Sequence, residues 1–252
     1  MSRVFRTFKI FGWIIRFLFI LLIAFVCGLL CWRLCSSQDP QELRTLSVNQ
    51  QTYEAYAEKG EDLYIFRQEQ RSITSGKDNY GYFSAKNTVF LPDANQVQLT
   101  VRYNNGTIRS LAEDFALDAV PSRDEELFDI SLLLAIDLTP ENTEDNLTND
   151  PESVRFVRCH PTMTEQHQKN LYNYRKVVFN VEDCGEDMAE LLASNLLLAV
   201  YVDVYYAGSI DYEQTPYGTL CLYDYLGEKE TVKLTARDKE ALAAWRREHS
   251  QS

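Results

Sequence analysis

The chain has 252 residues and no Asp or Glu among its first 33, where Arg3, Arg6, Lys9, Arg16 and Arg33 stand alone. It also has no C-x-x-C, which argues against a zinc ribbon or a thioredoxin-type redox site. H-E-x-x-H, G-x-S-x-G, S-x-x-K and a phosphate-cradling glycine loop are missing too. Only three His occur, at 160, 167 and 249. The six residues between His160 and His167 fit neither an i, i+4 helical pair nor an H-x₃₋₅-H finger. We find no internal repeat and no low-complexity tract. These absences leave no basis for a metal or other cofactor.

Acidic charge is concentrated beyond residue 33, where 20 basic residues face all 37 acidic ones. A body of that charge repels phosphate backbones and disfavours nucleic acid as a partner. With 15 Tyr and 13 Phe it can still bury a core.

Residues 13–32 read WIIRFLFILLIAFVCGLLCW, 20 residues with one charge. As a helix rising about 1.5 Å per residue, this run crosses a hydrocarbon layer of about 30 Å. Trp13 and Trp32 fall at the interfaces, and Arg16 is close enough to the end to snorkel. The basic cluster 1–12 predicts a cytoplasmic N-terminus, with the remainder extracytoplasmic at the cell membrane. A cleaved signal peptide is the rival, but no small-x-small site follows the run. Val26, Leu30 and Leu34 precede Cys27, Cys31 and Cys35, which excludes a lipoprotein site. Those three Cys share one helix face and read as apolar filler. Cys159, Cys184 and Cys221 allow at most one disulfide within the body and leave one thiol over.

Residues 33–60 read as a linker and a juxtamembrane helix. A helix is expected over 41–59, from the stripe Leu43, Leu46, Tyr53 and Ala57, with Gly60 as its stop. From Leu63 the period falls to two. Strands are expected near 63–67, 80–83, 88–91, 127–138, 154–159, 172–181, 196–206, 218–225 and 231–234. Gln96–Tyr103 reads as a half-buried strand. Asn104-Asn105-Gly106 then predicts a hairpin turn, with Thr107–Leu111 returning antiparallel. Asp187–Ala193 suggests a short helix. Thr235 and Asp238 have the spacing of a capping box for a terminal helix, 236–252, with Leu242 and Trp245 on its apolar side. Such an order predicts an antiparallel β-sandwich over 61–235, Ig-like or jelly-roll-like, with a distorted barrel as the alternative.

Candidate sites are few. The acidic loop 139–153 offers oxygens to calcium, but Leu147 and Ser153 stand where Gly and a closing Glu belong, so it reads as a solvated loop. Asn105-Gly106-Thr107 and Asn146-Leu147-Thr148 match the glycosylation sequon by chance. Tyr212 and Tyr217, on the connection 208–217, are the candidate binding residues for a protein partner, since Tyr gives large, rigid, half-polar contacts. Gly218-Thr219-Leu220-Cys221-Leu222, with Cys159-His160-Pro161 upstream and Arg237 downstream, resembles the sortase transpeptidases in having one Cys, one His and one Arg on an anchored β body. That resemblance would make Cys221 the nucleophile, His160 its partner and Arg237 the oxyanion holder. Only Thr219-Leu220 of the family's T-L-x-T-C precedes Cys221, and the Thr-Gly-His context is missing. The primary expectation is therefore a non-enzymatic module, tethered to the bilayer through 13–32, that contacts a protein partner at the envelope. A sortase-like thiol transpeptidase or hydrolase is the alternative. In a third reading, an accessory or sensor subunit, the 41–59 helix relays contact to the anchor.

Overall fold

A computed structural model describes residues 2–37, 40–68, 71–75, 83–114, 128–138, 153–169, 172–207, 218–224 and 231–250. The chain divides into an N-terminal helical unit and a body that begins at Gln41. Helix α1 runs Ser2–Ser37, and within it Trp13–Leu34 is long and apolar enough to cross a membrane. None of that window is buried, as its side chains from Trp13 to Leu34 are exposed.

The body is mainly β and antiparallel. Its strands are β1 (Phe66–Gln68), β2 (Arg71–Ser75), β3 (Phe83–Leu91), β4 (Gln96–Asn104), β5 (Phe128–Asp137), β6 (Val154–Cys159), β7 (Met163–Lys169), β8 (Tyr172–Asn180), β9 (Leu197–Tyr206) and β10 (Gly218–Asp224). Their order is β6-β5-β9-β10-β2-β3-β4-β8-β7, with β1 beside β3. Sheet A holds β1, β2, β3, β4, β8 and β7, and sheet B holds β10, β9, β5 and β6. Short pairing of β10 with β2, Gly218 to Ser75 and Thr219 to Thr74, joins them.

Alternation along the strands builds the main core. Val97, Leu99, Val101 and Tyr103 of β4, with Val177 and Phe179 of β8, come from sheet A. Ile130, Leu132, Leu134 and Ile136 of β5, with Val200, Val202 and Val204 of β9, come from sheet B. All belong to one buried cluster, so the two sheets share a core. Aromatic edges reinforce it, with Phe128 meeting Phe83 at 4.9 Å and Tyr103 at 5.1 Å in edge-on geometry.

A second cluster lies on the opposite face of sheet A, on Val89 and Leu91 of β3. Leu46, Ala55, Leu63, Ile65, Leu234 and Leu242 pack with them. After α1 the helices are α2 (Gln50–Lys59), α3 (Asn105–Asp114), α4 (Met188–Ala193) and α5 (Ala236–His249), and the covering elements are residues 41–49, α2 and α5. Tyr53 of α2 meets Trp245 of α5 at 4.7 Å. The expected capping box of α5 is present: Thr235 Oγ1 accepts from the Asp238 amide, and Asp238 Oδ2 accepts from the Thr235 amide.

Several expectations are corrected. The helix predicted for 41–59 begins only at Gln50, where Asn49 Oδ1 caps it by accepting from the Thr52 amide at 3.0 Å. Before it, Gln41–Arg44 form a 3-10 turn and Ser47–Asn49 are irregular. Leu43 and Leu46, read from the sequence as part of a helical stripe, lie before that helix and are 2% and 3% exposed. Residues 105–111 do not return as a strand, because α3 (Asn105–Asp114) starts there. Asn104 is a cap, not a turn residue. Its Oδ1 accepts from the Thr107 amide at 2.9 Å, and its own amide donates to Thr107 Oγ1. A Cβ on Gly106 would sit 2.9 Å from Asn104 Oδ1, so Gly106 provides room for the cap rather than a positive φ. Residues 231–234 make one bridge, Thr231 to Phe66, in place of a strand. Two strands escaped the pattern, β2 and the polar β7. Loop 139–152 and residues Tyr212 and Tyr217 lie outside the described residues.

Candidate functional site

The face of sheet B turned away from the core is itself largely closed among the described residues, with Ser131, Ala135, Asp203 and Tyr205 1%, 4%, 2% and 3% exposed. Ile130, Leu132 and Leu134 point inward, so Ser131, Leu133 and Ala135 point out. Registered pairing then sets Cys221, Tyr201, Leu133 and Arg158 side by side across β10, β9, β5 and β6. Thr219, Asp203 and Ser131 form the adjoining row.

A polar network occupies these rows. Asp203 Oδ1 accepts from Thr219 Oγ1 at 2.7 Å, and Oδ2 accepts from Tyr205 OH at 3.1 Å. Arg158 Nη1 donates to Asp203 Oδ2 at 3.2 Å and to Ser131 Oγ at 2.7 Å. Its guanidinium lies 4.7 Å from the Tyr205 ring centre. Desolvation, with the Asp203 charge next in weight, pushes the Tyr205 hydroxyl up to about 12. Asp203 is 2% exposed and satisfied from several sides, while the Arg158 side chain keeps 21% of its surface exposed. Beyond the network Phe156 of β6 is 60% exposed, and Leu133, Tyr201 and Cys221 are partly so.

One end of the body carries a cleft of about 840 Å³. Asp137, Glu182, Glu186, Asp187 and Glu190 line it around Arg155. Arg155 Nη2 pairs with Glu186 Oε1 at 2.6 Å, which leaves the cleft acidic. Leu138, 52% exposed, stands at its wall. Among the described residues, no group of three or more His, Cys, Asp or Glu could hold a metal ion.

The residues singled out from the sequence are not brought together. Cys221 lies in β10, its Sγ donating to the Tyr223 carbonyl at 2.9 Å. His160 is exposed beyond the end of β6, with β9 and β5 between the two strands. Three strand spacings of about 4.8 Å put the pair on the order of 14 Å apart, too far for proton transfer. His160 lies instead near Asp129, whose carboxyl is raised by desolvation while Arg175 and His160 pull it back. Arg237 is exposed in the first turn of α5, the helix covering sheet A. Cys159 and Cys184 form a disulfide, which does not include Cys221.

Sequence reasoning missed the Asp203–Arg158 network. Its signal was the lone acid in the apolar run Leu196–Tyr206, since an unpaired buried carboxylate is costly. No known family, characterised protein or solved structure matches this chain.

Proposed function

We propose that this chain is a non-catalytic interaction module, anchored in the cell membrane by α1 and exposing its body on the extracytoplasmic side. In this reading the two sheets are the layers of a β-sandwich, and the outer face of sheet B contacts a protein partner at the envelope. The observation that carries it is Phe156 of β6, 60% exposed on the outer face of sheet B, where its neighbours Ser131, Ala135 and Asp203 are buried. A large exposed aromatic beside half-buried Tyr201 and Leu133 suits a contact centre. The basic residues ahead of the apolar run support the orientation. The Cys159–Cys184 disulfide supports an oxidising compartment. Tyr212 and Tyr217 precede β10, so their segment belongs to the same proposal.

A photocrosslinking residue at position 156, in intact cells, tests it. We expect a discrete adduct absent when the same residue replaces Arg247, exposed on α5. Equal labelling from both positions would sink the contact assignment. Deleting 209–217 is expected to weaken that adduct; an unchanged yield removes Tyr212 and Tyr217 from the surface.

A further inference from the structure

We infer that the open edge of β6 is a self-association site, where two copies of this chain pair their β6 strands antiparallel about Phe156. This names the partner of the Phe156 contact proposed above and rests on that reading. The ladder fixes which backbone groups face the edge. The Leu138 amide donates to the Ser153 carbonyl, and the Asp137 amide to the Leu196 carbonyl. Even-numbered residues of β5 therefore bond toward β6, and odd-numbered ones toward β9. The register sets Leu134 opposite Val157 and Ile136 opposite Arg155, so the odd-numbered residues of β6 take those bonds. Val154, Phe156 and Arg158 turn their N–H and C=O away from β5. β6 ends the strand order, and among the described residues no backbone partner beyond the ladder is found for Val154 or Phe156.

Edge strands are ordinarily blunted by charge, proline or a bulge. β6 holds no proline, and its register with β5 is unbroken. Its two charges are drawn off the edge into the body's own acids. Arg155 Nη2 pairs with Glu186 Oε1 at 2.6 Å, and Arg158 Nη1 with Asp203 Oδ2 at 3.2 Å. Phe156 stands between them, 60% exposed. The run Val154-Arg155-Phe156-Val157-Arg158 is also complementary to its own reverse. An antiparallel copy centred on Phe156 sets Phe156 against Phe156, Val154 against Arg158 and Arg155 against Val157. No like charges stand opposite, and the two rings share one face as a cross-strand aromatic pair. The contact is two-fold and closes on itself as a dimer, which uses up the edge. Anchoring through α1 concentrates the copies in one bilayer, so a short contact suffices.

The test is disulfide trapping of the full chain in detergent micelles, with Cys27, Cys31, Cys35 and Cys221 replaced by Ala. In the paired strands the two Phe156 Cα atoms stand about 5.5 Å apart, within disulfide reach. The two Val154 Cα atoms are separated by four residues of register, on the order of 14 Å. On oxidation Phe156→Cys is expected to give about fivefold more covalent dimer than Val154→Cys. Equal yields, or no dimer from Phe156→Cys, overturn the inference. Phe156→Pro removes an outward N–H and no bond to β5, so it tests the same contact without a new thiol. The parent chain should sediment as a dimer whose dissociation constant rises about tenfold in that variant. A dimer equally tight in Phe156→Pro places the association elsewhere, as in α1, and overturns the edge. A photo-adduct of position 156 with a different protein keeps the contact and overturns the second copy as its occupant. No adduct at all removes both.

Discussion

The two sheets satisfy buried polar side chains in opposite ways. On sheet A, Gln96, Gln98 and Thr100 are 0%, 2% and 1% exposed, and their partners lie largely in residues 43–52 above the sheet. On sheet B, Ser131, Asp203 and Tyr205 are buried to a similar degree, but their partners sit on the same or neighbouring strands of that sheet. One face is completed by a covering backbone and the other laterally. Polar alternation in a strand therefore does not by itself mean solvent.

That contrast can be broken most severely at Asp238. Its carboxylate accepts from the Leu46 amide, Arg67 Nη2, the Thr235 amide and Thr235 Oγ1. Asp238→Ala leaves Arg67 without its carboxylate and should cost about 3–5 kcal/mol in denaturant unfolding of the full chain. A loss below about 1 kcal/mol would show the covering of sheet A to be independent of it. Gln98→Ala strands both backbone groups of Ser47 and should cost about 1–3 kcal/mol by the same measurement.

The smallest effects separate the faces by sign. Burial lowers the Lys176 ammonium below its ordinary 10.5, so the native state releases that proton first. Stability from this group rises with pH between its depressed value and 10.5. Tyr205 is raised from 10 to about 12, so its contribution is present below pH 10 and lost as pH climbs toward 12. Lys176→Met should remove the rise and Tyr205→Phe the fall, in unfolding midpoints followed from pH 8 to 12. A fall that persisted in Tyr205→Phe would place its origin elsewhere.

Much of this architecture is legible in local pattern. Apolar runs placed β5 and β9, strict alternation placed β4, and Thr235 with Asp238 announced α5. Spanning length and composition mark Trp13–Leu34 in either view. What escaped is where tertiary context overrides a short signal. Leu43 and Leu46 keep helical spacing with Tyr53, yet Asn49 caps a helix that excludes them. Asn104-Asn105-Gly106 is a hairpin signal in isolation. Here Ile108, Leu111 and Ala112, all buried, gain more as one helical face than as a return strand. β7 reads MTEQHQK and offers no apolar alternation, so only its place beside β8 defines it. The Asp203 network reaches 45 positions along the chain and the contacts of residues 43–47 reach 192, which no local window can register.

The strand order begins at β6 and ends at β7, yet these two strands follow one another in the chain. The ladder is thus a nearly closed ring, interrupted where only His160, Pro161 and Thr162 connect its ends. Cys159, the last residue of β6, is bonded to Cys184 beyond β8, clasping the ring beside that gap. A reducing environment would undo the clasp and leave that gap, whose two margins already lack a paired strand, held by the three-residue link alone.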